Sequence, residues 1–223
     1  MRDRILILGG TAEAAALARR LVDEGETVIT SLAGRLPSPP SLAGQVRVGG
    51  FGGVDGLAAW LAENAITRVI DATHPFAAVI SAHAAAACAR LGLPLRRLER
   101  PVWRKHPGDR WHWADSLEMA ARMAPGLGRR ILLTVGAGSL APFTRFGGPF
   151  YLLRLLAAPA PLAFPRYRVV IDRGPFVPAD EMALMRRFAI DLLVSKASGG
   201  AATEAKIIAA RRLGLRVLLV GRP

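Results

Sequence analysis

Three groups of residues in this chain have types and spacings suited to chemistry. Gly9-Gly10-Thr11-Ala12-Glu13 directly follows the aliphatic run Ile5-Leu6-Ile7-Leu8. A buried strand, a turn too tight for side chains and a helix start leave backbone N–H groups aimed at one spot. The helix dipole also favours negative charge there, so a phosphate is the natural occupant. Asp71-Ala72-Thr73-His74 ends a second short apolar run, and Asp71 and His74 are the residues there able to donate a proton or position a water. The third group is Ser195-Lys196-Ala197-Ser198-Gly199-Gly200 with Thr203 and Lys206. Its order is not that of a P-loop. Lys206 falls in the first turn of a helix that Thr203 can cap, where the dipole disfavours a cation unless an anion is bound nearby. Each group also has a plain reading: a bare structural turn, a capping or packing histidine, a lysine solvated by water.

The elements that must position these groups alternate between strand and helix. Residues 5–8 read as a strand buried on both faces, and the helix after Thr11 can pack closely through Ala14 and Ala18 beside Leu17 and Leu21. A second strand over 27–31 ends at Ser31, followed by Leu32-Ala33-Gly34-Arg35. A nicotinamide site that prefers NAD commonly places an acid at that strand end to hold the ribose 2′-hydroxyl, whereas a 2′-phosphate needs a cation and hydroxyls. With no acid here, a bound dinucleotide is expected to be the phosphorylated one; a solvated loop arginine is the alternative for Arg35. Gly49-Gly50-Phe51-Gly52-Gly53 follows a strand over 45–48. Four glycines around one aromatic are entropically costly unless backbone must approach something closely, the alternative being a plain flexible loop.

A helix over 55–64, a strand over 68–71, an alanine-rich helix ending at Gly92 and a strand over 95–98 complete the first half. Residues 99–103 read as a connector between the halves, and the segment on to Trp113 is polar, basic and aromatic, with no element assigned to it. Beyond them come strands over 130–135, 151–155, 169–172, 191–195 and 216–220. Helices are expected from Ser139 onward, over 180–188 and over 203–213, the last with Ala205, Ile208, Ala209 and Leu213 inward. Such alternation specifies helices covering mainly parallel sheets. The expected fold is α/β, two Rossmann-like doubly wound domains over 1–98 and 99–223 with a cleft between them.

Bulk properties narrow the function. At 223 residues each half can bury its own core without a metal or disulfide staple, and Cys88 is the single cysteine. Met1-Arg2-Asp3 leads straight into the first strand, and the apolar runs are of strand length, so a cytoplasmic chain without a membrane partner is expected. The net charge of +13 comes from 30 basic against 17 acidic side chains. The arginines form scattered pairs, such as Arg19-Arg20 and Arg211-Arg212, rather than a block interleaved with aromatics, which argues against nucleic acid. A polyanionic small molecule remains as the partner such charge would suit.

With these motifs collected, the chain resembles the precorrin-6A reductases, oxidoreductases of cobalamin biosynthesis. Leu8-Gly9-Gly10-Thr11-x-Glu13, Ser31-Leu32-Ala33-Gly34-Arg35, Gly49-Gly50-Phe51-Gly52-Gly53, Asp71-Ala72-Thr73-His74-Pro75-Phe76-Ala77, Glu99-Arg100-Pro101-x-Trp103 and the closing Ser195–Lys206 group carry the resemblance. Val135-Gly136-Ala137-Gly138 departs from it, since the family is expected to carry a Thr-Gly pair there. The resemblance implies NADPH bound by the first half, through Gly9, Gly10, Thr11 and Glu13, through Ser31, Gly34 and Arg35, and through Gly50, Phe51, Gly52, Gly53 and Thr73. It implies a tetrapyrrole in the cleft, its carboxylates held by Arg100, Lys196 and Lys206 with Ser198, Gly199, Gly200 and Thr203. A hydride would go to one ring carbon and a proton to its neighbour, with His74 and Asp71 as the catalytic candidates. The expected partner is the macrocycle alone, without nucleic acid or membrane, acting on a monomer. The alternatives are a cobalt-precorrin-6A reductase using NADH, or a non-catalytic nucleotide-binding module. A short-chain-type dehydrogenase is disfavoured because Tyr151 and Tyr167 are followed four residues on by Leu155 and Ile171, not lysine.

Overall fold

The computed structural model describes residues 3–34 and 41–223. The chain divides into two compact units, Met1–Glu99 and Arg100–Pro223. In the first, β1 (Arg4–Leu8), β2 (Thr27–Leu32), β3 (Gln45–Val48), β4 (Arg68–Asp71) and β5 (Leu95–Arg97) form a wholly parallel sheet in the order β3-β2-β1-β4-β5. The connecting helices are α1 (Ala12–Asp23), α2 (Gly53–Glu63) and α3 (Ala78–Leu91). The unbroken aliphatic run in β1 reflects cover on both faces, because successive side chains of a strand point oppositely. Ile5 and Ile7 pack with Ala14, Ala18 and Leu21 of α1, while Leu6 and Leu8 share a cluster with Leu57 and Leu61 of α2 and Ala84, Ala87 and Cys88 of α3. Leu8 is level with Ser31 on β2 and with Asp71 on β4, so three of the singled-out segments begin on one carboxyl edge.

The second unit holds β6 (Arg110–Ala114), β7 (Arg130–Leu133), β8 (Phe150–Leu155), β9 (Tyr167–Ile171), β10 (Leu192–Lys196) and β11 (Arg216–Val220), all parallel, in the order β6-β11-β10-β7-β8-β9. Its helices are α4 (Leu117–Leu127), α5 (Pro178–Arg187) and α6 (Ala205–Arg212). Leu132, Leu152, Leu193, Val217 and Leu219 pack on Met185 of α5 and on Ile207, Ala209 and Ala210 of α6.

This unit corrects the sequence reading in four places. The segment leading to Trp113, to which the sequence reading assigns no element, ends in β6, an edge strand paired with β11, whose alternation is masked by its charged neighbours. Helix α4, capped by Ser116 through a bond from Met119 N to its hydroxyl at 3.1 Å, is an addition to the expected elements; its buried face is three alanines, a weak apolar signal, and Pro125 lies inside it. The helix expected from Ser139 is instead two 3₁₀ turns, Ala137–Ser139 and Ala141–Arg145, with Pro142 in the second disfavouring α geometry in the residue before it. Thr203 does not cap α6: it ends a 3₁₀ turn, and its hydroxyl donates to Gly199 O at 2.9 Å. That turn shifts the phase of the helix, so the inward residues are Ala205, Lys206, Ile207, Ala209 and Ala210, and Ile208 is only half-buried.

Candidate functional site

Ligands of doubly wound sheets sit at the carboxyl edge where strand order reverses. The first unit reverses between β1 and β4, the second between β7 and β10. Most of the residues singled out in the sequence lie at these two points.

At the first reversal Gly9 N donates to Ser31 O at 2.9 Å, and a Cβ on Gly9 would stand 2.7 Å from Thr30 Cγ2, so only glycine lets the turn close on β2. Gly10 has φ +99° and nothing within 4 Å of where its side chain would be. Thr11 caps α1 by accepting from Ala14 N at 3.1 Å and donates to Ala72 O at 2.9 Å, tying the β1 turn to the segment after β4. Glu13 lies in the first turn of α1, where the dipole favours an acid. Asp71 is buried, and its Oδ1 accepts from Thr73 N at 3.1 Å and Thr73 Oγ1 at 2.7 Å, while Oδ2 lies 3.9 Å from Arg97 Nε. This carboxylate shapes the turn that presents His74. Phe76 N donates to His74 Nδ1 at 3.2 Å, which leaves the proton of a neutral imidazole on Nε2.

Gly34 is exposed with φ +73°, and Arg35 lies outside the described residues. The cation that the structure does place here is Arg47 on β3, which sequence reasoning missed. Its Nη1 and Nη2 donate to Gly49 O and Gly50 O at 2.6 Å each, Nη1 lies 3.4 Å from Ser31 Oγ, and its guanidinium carbon sits 3.8 Å over the Phe51 ring. Partial burial lowers its pKa. Phe51 meets Trp60 edge-on at 5.4 Å, and Gly52 (φ +79°) and Gly53 (φ +94°) lead the chain into α2. The Gly-Gly-Phe-Gly-Gly stretch is therefore a loop folded around one arginine. An arginine two residues before such a stretch was the available signal.

At the second reversal Lys196 Nζ, at the end of β10, donates to Ser139 Oγ at 2.8 Å and so bridges to the glycine turn after β7, where Gly136 has φ +83°. Gly199 and Gly200 both have positive φ. Gly200 N donates to Pro101 O at 3.0 Å, Trp103 Nε1 donates to Gly200 O at 3.1 Å, and a Cβ on Gly199 would overlap Pro101 O. Arg222, also missed, donates to Ala197 O, Ser198 O and Arg100 O at 3.1 Å each. The segments 100–103 and 195–200, distant in sequence, are thus one structure. Lys206 is buried, with Nζ donating to Thr203 O at 3.0 Å and lying 5.2 Å from the Trp103 ring. Desolvation lowers its pKa to about 7, helped by Arg154 and Arg100 and opposed by Glu181. Arg154 and Glu181, a buried ion pair, were also missed; a lone arginine in the strand Phe-Tyr-Leu-Leu-Arg-Leu was the available clue.

Two parallel α/β units, each with a glycine-rich loop at its strand-order reversal, define a doubly wound protein. The family follows from likeness to known proteins: the model of the precorrin-6x reductase CbiJ/CobK family matches residues 4–223, and the chain belongs to that family. It is 48% identical over 221 residues to a precorrin-6A reductase of Rhodococcus erythropolis, covering 99% of this chain and 89% of that one. A cobalt-precorrin-6A reductase of Priestia megaterium is 30% identical over 234 residues, with 98% and 90% covered. Among solved structures, a CobK precorrin-6A reductase superposes with a TM-score of 0.96 at 45% identity, over 99% of this chain and 88% of that one.

Proposed function

We propose that this chain catalyses the NADPH-dependent reduction of a double bond in precorrin-6A, giving precorrin-6B, in cobalamin biosynthesis. The observation that carries the reading is 45–48% identity to proteins named precorrin-6A reductase, against 30–31% to those named for the cobalt-bearing substrate.

The β1–α1 turn fits the phosphates of a dinucleotide, because Gly9 and Gly10 leave bare backbone at the start of a capped helix. Gly9, Gly10, Thr11 and Glu13 would hold that end of the cofactor. Ser31, Gly34, Arg35 and the loop from Gly50 to Gly53 would hold the adenosine side, with Arg47 as a further cation. At the end of β2 the residues Ser31-Leu32-Ala33-Gly34 include no acid, which supports a 2′-phosphate over a free hydroxyl. Bound there, NADPH supplies the hydride.

The chain's own residues orient the macrocycle and handle the proton. Arginine and lysine grip carboxylates through charge-assisted hydrogen bonds, so Arg100, Lys196 and Lys206 hold the acid side chains, within a loop shaped by Ser198, Gly199, Gly200 and Thr203. His74, whose Nε2–H is the donor its backbone contact selects, gives the proton or positions the water that does, and Asp71 with Thr73 fixes its turn. On this reading the enzyme works as a cytoplasmic monomer without nucleic acid or membrane. The test is an anaerobic absorbance assay pairing both macrocycle forms with both dinucleotides: kcat/KM should be highest for precorrin-6A with NADPH. A preference for the cobalt form or for NADH overturns that part of the reading.

A further inference from the structure

Three of the chain's four tryptophans meet at one edge of the second unit. Trp111 and Trp113 are two residues apart on β6, so both project from the same face of this edge strand, level with Val217 and Leu219 of β11. Their rings meet edge-on with centroids 6.1 Å apart. Trp103, from the segment before β6, is held by its bond to Gly200 O. With Val102, Ala197, Leu219 and Arg222 these rings line a cavity of about 110 Å³. Ala197 directly follows β10 and Arg222 lies just beyond β11, so the cavity sits at the carboxyl edge of the sheet, where ligands of such folds bind.

Packing alone does not explain two features of this cavity. Trp113 is 54% exposed and Val102 66%, although both side chains gain by burial. An aromatic surface left open in this way marks a place where something binds. The second feature is the placement of hydrogen-bond donors. Arg222 donates through Nε to Ala197 O and through Nη2 to Ser198 O and Arg100 O. These bonds fix the guanidinium plane and leave Nη1 without an acceptor among the described residues. A pinned guanidinium with a free end is pre-organised for a carboxylate. Trp111 Nε1 is a further donor, buried and without a hydrogen-bond partner among the described residues, a state that native structures seldom leave unanswered. The volume selects among carboxylate ligands. An apolar cavity of about 150 Å³ is enough for benzene. The present one therefore admits a short carbon chain with a terminal carboxylate and excludes a whole ring system.

We propose that this cavity is a subsite for one acid side chain of the macrocycle, its carbon arm lying against Trp103, Trp111 and Trp113 and its carboxylate held by Arg222. The identity of the ligand rests on the proposed function; the aromatic cavity and Arg222 as substrate-holding parts go beyond it. A macrocycle with that one carboxylate esterified keeps the apolar contact and loses the charge-assisted bond.

The test uses the full chain labelled with nitrogen-15 in its tryptophans, titrated anaerobically with precorrin-6A and followed by nuclear magnetic resonance through its four indole N–H signals. Replacing each tryptophan in turn by phenylalanine assigns the signals. Those of Trp111 and Trp113 should move further than that of Trp60 as the macrocycle binds. Arg222→Leu and Trp113→Ala should each weaken macrocycle binding about tenfold while leaving the affinity for NADPH unchanged. Macrocycle binding with the Trp111 and Trp113 signals unmoved, or wild-type affinity in either variant, overturns this inference alone and leaves the cavity to a different partner. Absence of any macrocycle binding by the wild type overturns the functional reading and this inference together. Trp113 is exposed, so Trp113→Ala decides the matter even if Arg222→Leu disturbs the loop to which Arg222 is bonded.

Discussion

Replacing Lys206 by methionine should stabilise the second unit, and by an amount that depends on pH. The side chain is 7% exposed at the start of α6, with its pKa lowered from 10.5 to about 7, first by desolvation. That difference corresponds to roughly 5 kcal/mol between the charged and neutral forms. Relaxation and water penetration leave a smaller share, about 2–3 kcal/mol. The sign follows from proton counting. Between about pH 7 and 10 the unfolded chain holds this proton and the folded chain does not, so wild-type stability rises with pH, by up to ~1.4 kcal/mol per unit. Below that window the folded protein carries the full cost of a buried ammonium. Methionine, similar in length and uncharged, removes both the cost and the slope. Urea unfolding at pH 6, 7.5 and 9, followed by fluorescence of Trp103, Trp111 and Trp113, should show the variant more stable at pH 6 and the two proteins converging toward pH 9. Other titrating groups are common to both and cancel in the difference. Parallel stability curves, or a variant less stable at pH 6, would mean that Lys206 imposes no charge-burial cost on the folded protein.

Further expectations concern the two glycine-rich edges. Arg47→Ala, which removes the bonds to Gly49 O and Gly50 O and the stacking on Phe51, should raise KM for NADPH about tenfold more than for NADH; equal losses would make Arg47 a purely structural clamp. Thr11→Ala should cost about 1 kcal/mol through loss of the α1 cap, read as a lowered urea midpoint at constant m-value. Gly199→Ala must displace the Pro101 carbonyl and adopt φ +66°, so a loss of about 1–3 kcal/mol is expected, with Trp103 fluorescence shifting as its bond to Gly200 O breaks; an unperturbed melt would contradict the close packing of the two segments. Cys88, buried in the α3 core with its pKa raised by desolvation, should react with a thiol reagent only on unfolding.

What the sequence made legible was whatever depends on neighbours along the chain. The aliphatic run of β1, the glycine turn and the alanine face of α1 are local patterns, and the parallel sheet they imply is the one observed. Likewise Arg68–Asp71 and Arg216–Val220 form strands over the expected residues, because buried parallel strands need continuous apolar runs. The β6 strand was illegible because an edge strand can carry alternating charges that look like a loop. Arg47, Arg154 and Arg222 were hidden for another reason: in an arginine-rich chain, position in the fold rather than residue type distinguishes a clamp from a solvated side chain. Lys206 was picked out by its place in a helix start. That it points inward toward Arg154 and Glu181 depends on the 3₁₀ turn at Ala201–Thr203, which a helical period cannot register.

The most direct test of the central claim is a single-turnover reaction of precorrin-6A with NADPH carrying deuterium at the transferable position, run anaerobically and followed by mass spectrometry of the macrocycle. The expected result is about one deuterium per reduced macrocycle, with dinucleotide oxidation matching macrocycle reduction and no transfer without the protein. Binding of both ligands with no deuterium in the macrocycle would contradict the account and leave a nucleotide-binding protein that performs no reduction.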